Sequence, residues 1–138
     1  AIIAGISVGT LVSLGSALAL AVAMGLTREQ YVTLLPKSVT TAISMDVAAE
    51  LGGIAALTGA IVILTGIAGN LLAEVVCKIF HITDPIAKGV GIGTSAHAVG
   101  TSKALQMGEV EGAMSGLSIA VAGVLTAVLC PFFVSFIQ

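Results

Sequence analysis

Charge is what this sequence has least of. Only 9% of its 138 residues are Asp, Glu, Lys or Arg, against about 25% in soluble domains, and that scarcity excludes water as the main solvent. Tryptophan is absent, with one tyrosine and four phenylalanines beside 17 glycines, so the apolar mass is Ala, Val, Ile and Leu. A chain that is 57% hydrophobic, with a mean hydropathy of +1.17, must pack small residues against small residues, the habit of helices in bilayers. The five Lys and Arg residues are scattered and the net charge is −2, which leaves no basic surface for a nucleic-acid backbone.

Cysteine is nearly missing too. Cys77 and Cys130 lie inside the apolar runs VVCKIF and VLCPFF at a spacing that matches no metal motif or disulfide framework, so both read as packing residues. No His, Cys or carboxylate cluster closes a metal site. Gly89 to Gly93 does not follow a strand and no nucleophile elbow is present, so neither a dinucleotide fold nor a hydrolase is expected and the chain does not read as an enzyme. It does not open like a signal peptide, having no charged segment ahead of a cleavage site.

What is there is a series of membrane-length apolar runs. About 20 apolar residues cross a hydrocarbon core of about 30 Å, and segments 2–26, 54–80 and 113–137 satisfy this cleanly. Within the first, Gly5, Gly9, Ser13, Ala17, Ala21 and Gly25 recur at every fourth residue and form one groove along a helix, open to another helix of the chain or to a second copy. Segments 31–51 and 86–107 are long enough but interrupted, the first by Pro36 to Thr41 and the second by Gly93 to Lys103. The expected fold is an all-α membrane domain over 1–138, with about five transmembrane segments. Two of these are broken or re-entrant, as in elevator- or rocking-type transporters. If all five cross, Arg28, Lys78, His81 and Lys88 share one side and Glu50, Glu109 and Glu111 the other, which the positive-inside rule turns into a cytoplasmic C-terminus.

The interruptions carry the chemistry. Unpaired backbone groups are not tolerated in lipid, so the two breaks should face protein or a water-filled cavity. Interrupted segments in corresponding places point to a transporter site, where half-helix N-termini present N–H groups to an anion. Lys37 and Lys103 add positive charge, costly at mid-bilayer without an anionic partner, unless each snorkels to the nearer surface. Ser38, Thr40, Thr41, Thr94, Ser95, Thr101 and Ser102 would replace the ligand's hydration. His97 would donate to a carboxylate or titrate with a coupled proton, or else be satisfied by a neighbouring hydroxyl or carbonyl. Glu74 and Lys78 are spaced for an i, i+4 pair.

The same segments, LLPKSVTTAISMDVAAELGGIAALTG and DPIAKGVGIGTSAHAVGTSKALQMGEVEGAMSGLSI, resemble the signatures of the LrgB/CidB family of antiholin-like membrane proteins. Two departures stand out: Ala42 replaces a frequent proline, and Lys103 a frequent arginine, which removes the bidentate fork. Family members are longer at the N-terminus, so the resemblance implies the C-terminal portion of such a protein, in the bacterial cytoplasmic membrane. It also implies modulation of murein hydrolase activity and lysis beside a small LrgA/CidA-type holin-like partner. A fused plant relative looks like a plastid carrier for glycolate and glycerate.

Two functions are therefore expected. One is transport of a small monocarboxylate of the pyruvate, glycolate, glycerate or lactate type, with no cofactor and with proton or sodium coupling open. The other is an antiholin-like component that assembles through the small-residue groove, as a homo-oligomer or with its partner, and modulates pores without a substrate of its own.

Overall fold

A computed structural model describes residues 1–137, and every described element is helical. The helices are α1 (Ile2–Met24), α2 (Arg28–Leu34), α3 (Thr41–Glu50), α4 (Ala55–Ile79), α5 (Pro85–Met107) and α6 (Glu109–Val134). Three of them, α1, α4 and α6, are long and apolar enough to cross a membrane. Local chemistry sets several ends. Gly25, in the left-handed conformation at φ 62°, stops α1 as a C-terminal glycine does. The Thr27 hydroxyl accepts from the Gln30 N–H at 3.3 Å while the Gln30 side chain accepts from the Thr27 N–H at 3.0 Å, a capping box that starts α2. Asp84 caps α5 by accepting from the Ala87 N–H at 2.8 Å, with Pro85 at the first helical position where its missing donor is harmless.

Both interrupted segments fold back on themselves. The backbone of α5 turns at His97, where φ is 42° and ψ −136°. A straight helix would hold residues 93 and 101 about 12 Å apart along its axis, yet both meet the same turn of α6. A Cβ placed on Gly93 would run into Ser115 and Ser118, and the Thr101 hydroxyl lies 2.6 Å from that of Ser115. Deeper in the arms, Gly89 packs on the Glu111 backbone and Leu105 on Gly112. The arms 85–96 and 98–107 therefore enter and leave on one side, with His97 at the tip.

α2 and α3 form the second hairpin from the opposite side. α2 leaves the C-terminal end of α1 and returns along it until Lys37 reaches Ser13, halfway down α1. The Ser44 hydroxyl donates to the Pro36 carbonyl at 2.6 Å and closes the tip. α3 then runs back beside α4: Thr41 and Met45 pack on Gly59, and the Ile54 N–H donates to the Thr33 hydroxyl at 2.9 Å. Tyr31, fully buried in a cluster with Leu14, Val47 and Cys130, donates its hydroxyl to the Phe133 carbonyl at 2.9 Å and ties the hairpin to the end of α6.

A span followed by a hairpin thus occurs twice, in opposite orientation. One offset relates the copies: 84 − 27, 97 − 40 and 107 − 50 all equal 57, which carries the cap Thr27 onto Asp84, the tip Thr40 onto His97, and the hairpin end Glu50 onto Met107. The two units are thus related as an inverted repeat. Of the five membrane segments expected from the sequence, three are single helices long and apolar enough to cross, and the two expected to be broken or re-entrant are hairpins that fold back. The charge sorting built on five alternating crossings falls, because Arg28 and Glu50 now flank one face while Lys78, His81, Lys88, Glu109 and Glu111 share the other.

Candidate functional site at the hairpin tips

The opposed hairpins meet beside the middle of α1. Lys37 and Ser38 from one hairpin and Thr94 and Ser95 from the other line a single cavity of about 260 Å³, with Gly9, Ser13 and Ser16 of α1. The Lys37 ammonium donates to the Ser38 hydroxyl at 3.0 Å and the Ser13 hydroxyl at 3.4 Å. Among the described residues the ion pairs are those of Glu74 with Lys103 and Lys78, so Lys37 has no carboxylate partner. The half-buried Lys37 ammonium is held by neutral hydroxyls alone, an arrangement in which a counter-charge would offset part of its desolvation cost.

Two half-helices also begin near the hairpin tips. Thr40 caps α3 without a side-chain hydrogen bond to its first turn, and the returning arm of α5 begins just after His97. Both half-helices start at mid-depth with their N-termini inward, and such ends carry partial positive charge from unpaired N–H groups. Gly9 is required for the geometry: a Cβ there would stand 2.7 Å from the Thr94 hydroxyl oxygen.

The other residues singled out in the sequence lie outside the cavity lining. Thr41 packs its methyl toward Gly59. His97 is 2% exposed, and its Nε2 donates to the Val62 carbonyl at 2.9 Å, which pins the second tip to α4. Thr101 joins its hairpin to α6 through Ser115, and its hydroxyl also donates to the His97 carbonyl at 2.9 Å. Ser102 receives the Asn70 amide at 3.1 Å. Lys103 lies 2.7 Å from Glu74, whereas Lys78 approaches the same carboxylate only to 4.0 Å. The two lysines therefore have different surroundings, Lys37 at the cavity and Lys103 in an ion pair on α4. Ser13 and Ser16 also line the cavity, with no motif in the sequence to mark them. Ser13 was visible only as one member of the small-residue groove, whose first half the chain uses internally: Gly5 and Gly9 seat Val90 and Thr94 of the second hairpin.

Comparison with known proteins gives the chain a lineage. The chain is 38% identical over 136 residues to proteins named antiholin-like protein LrgB from Bacillus mycoides (strain KBAB4), Bacillus cereus (strain B4264) and Bacillus anthracis (strain CDC 684 / NRRL 3495), covering 99% of this chain and 59% of each of theirs. It thus spans about three-fifths of the length of these relatives. No solved structure matches. The model of the LrgB-like family matches residues 1–136, and the chain belongs to that family.

Proposed function

We propose that this chain forms the substrate-binding core of a secondary carrier for a small monocarboxylate of the pyruvate, glycolate, glycerate or lactate type. The observation that carries the reading is the convergence of two oppositely inserted hairpins on one small cavity whose cation, Lys37, has no counter-charge among the described residues. In this mechanism the carboxylate takes the Lys37 ammonium as its charge partner. The hydroxyls of Ser13, Ser38, Thr94 and Ser95 and the inward N–H groups of the two half-helices replace its water. Lysine suits the task as a compact point charge where a bidentate fork is not demanded. Lys103 is occupied by Glu74 and takes no part in the first contact. His97 spends its Nε2 proton on Val62, which favours a role in fixing the tip over one in proton coupling.

The inverted repeat supplies the motion. Two copies of one unit in opposite orientation reach two mirrored arrangements, with the cavity opened past one hairpin or the other by rocking or by an elevator-like slide. Lys78 and Lys88 flank the face shared by the start of α1, and Arg28 the other. The positive-inside rule then favours a cytoplasmic N-terminal face in a bacterial inner membrane.

The relatives' name supports a second reading, an antiholin-like component that regulates pores through assembly with a small holin-like partner or with further copies. Uptake of radiolabelled pyruvate and glycolate into proteoliposomes separates the two. Saturable uptake that Lys37→Ala abolishes supports the carrier. Leak of unrelated solutes, indifferent to Lys37→Ala, would replace it with the pore-regulating role.

A further inference from the structure

Between α4 and the entering arm of α5 the fold carries two adjoining hollows. The outer, about 560 Å³, lies where α4 ends and α5 begins and is lined by Lys78, His81, Lys88, Thr83 and Gln106. The inner, about 360 Å³, is lined by Leu72, Ala73, Val76, Gly91 and Ile92 and reaches Gly69 and Ser95. Cys77, Ile82 and Lys88 border both, so the two are continuous. From Lys88 to Ser95 the path descends about 10 Å along the helix, from the membrane surface toward mid-depth.

Charge and polarity divide along that path. At the mouth, Lys78 extends with 81% of its side chain exposed, and Lys88 stands in the first turn of α5. Glu74 is the acidic residue of the lining, and Lys103 already holds it at 2.7 Å. Asp84 is engaged in capping Ala87. The mouth is therefore net positive, while the inner hollow is walled by aliphatic side chains and glycine backbone. A soluble anion would find nothing to bind in the inner part, and a neutral apolar ligand would leave the lysines unused.

We propose that this continuous groove binds an anionic glycerophospholipid. Its phosphate sits against Lys78, Lys88 and His81, and one acyl chain descends between α4 and the entering arm of α5 toward Gly69 and Ser95. A basic pocket between membrane helices at one surface suits such a headgroup. The bound chain would lie against the outer side of the hairpin whose inner side lines the Lys37 cavity, since Ser95 borders both.

Cys77, which borders both hollows, is a built-in reporter, and buried Cys130 an internal reference. The experiment measures maleimide labelling of Cys77 in purified protein held in mixed micelles of neutral detergent with phosphatidylglycerol, phosphatidylcholine or soluble glycerol phosphate. The expected result is labelling at least fivefold slower with phosphatidylglycerol than with phosphatidylcholine, a difference lost in Lys78→Gln/Lys88→Gln, with glycerol phosphate giving no protection. Equal protection by the two lipids, protection by glycerol phosphate alone, a difference that survives the double substitution, or no protection at all would each overturn the proposal. Unchanged Cys130 labelling in the variant shows that it is folded.

Discussion

The Lys103 ammonium and the Glu74 carboxylate lie 2.7 Å apart, joining the returning arm of the second hairpin to α4 across 29 residues of sequence. That bond exists because the chain reverses at His97. Lys103→Glu places two carboxylates together, and we expect it to expose the hairpin to proteolysis in detergent. Adding Glu74→Lys restores resistance, which limited digestion of the single and double variants will show.

The hairpin topology makes a claim about sides. Five crossings would put Arg28 and Glu50 on opposite faces; two re-entrant hairpins put them on the same one. Arg28→Cys and Glu50→Cys, each in a Cys77→Ala/Cys130→Ala background, should be labelled by a membrane-impermeant maleimide from one face only, and Lys88→Cys from the other.

Close packing of the second hairpin rests on glycine. A Cβ on Gly93 would strike the Ser115 carbonyl, whereas one on Gly91 meets nothing within 4 Å. Gly93→Ala is expected to cost about 1–3 kcal/mol through overpacking and Gly91→Ala to be near neutral, measured as thermal unfolding in detergent.

At the tip, His97 holds a positive φ that a β-branched residue tolerates least. His97→Val should therefore unfold at a lower temperature than His97→Asn, and both below wild type because the bond to Val62 is lost. At the first hairpin, Thr27→Ala removes the capping box and is expected to cost about 1 kcal/mol.

Much of this was legible in the residues. Uncharged runs of membrane length gave α1, α4 and α6, and Pro36 with the Gly93 to Lys103 stretch marked where helices stop. A break does not say which way the chain leaves it. That direction is decided by tertiary packing, with Gly89 and Gly93 seating on α6 and Gly59 receiving α3, and no local pattern encodes it. The same gap explains the two lysines. Read in line, Glu74 belonged to Lys78 one turn away; once the hairpin folds back, Lys103 comes closer. Lys37 reaches Ser13 because its break lies opposite the hydroxyl-bearing middle of α1.

Equilibrium binding of radiolabelled glycolate and pyruvate to the solubilised protein, compared across Lys37→Gln and Lys103→Gln, is the most direct test of an anion site at the hairpin tips. A hydrogen bond to a charged group is worth about 1.5–3 kcal/mol, so the account predicts that Lys37→Gln weakens binding by about tenfold or more while Lys103→Gln stays within about twofold of wild type. Undiminished binding in Lys37→Gln, or equal losses in both variants, would contradict it.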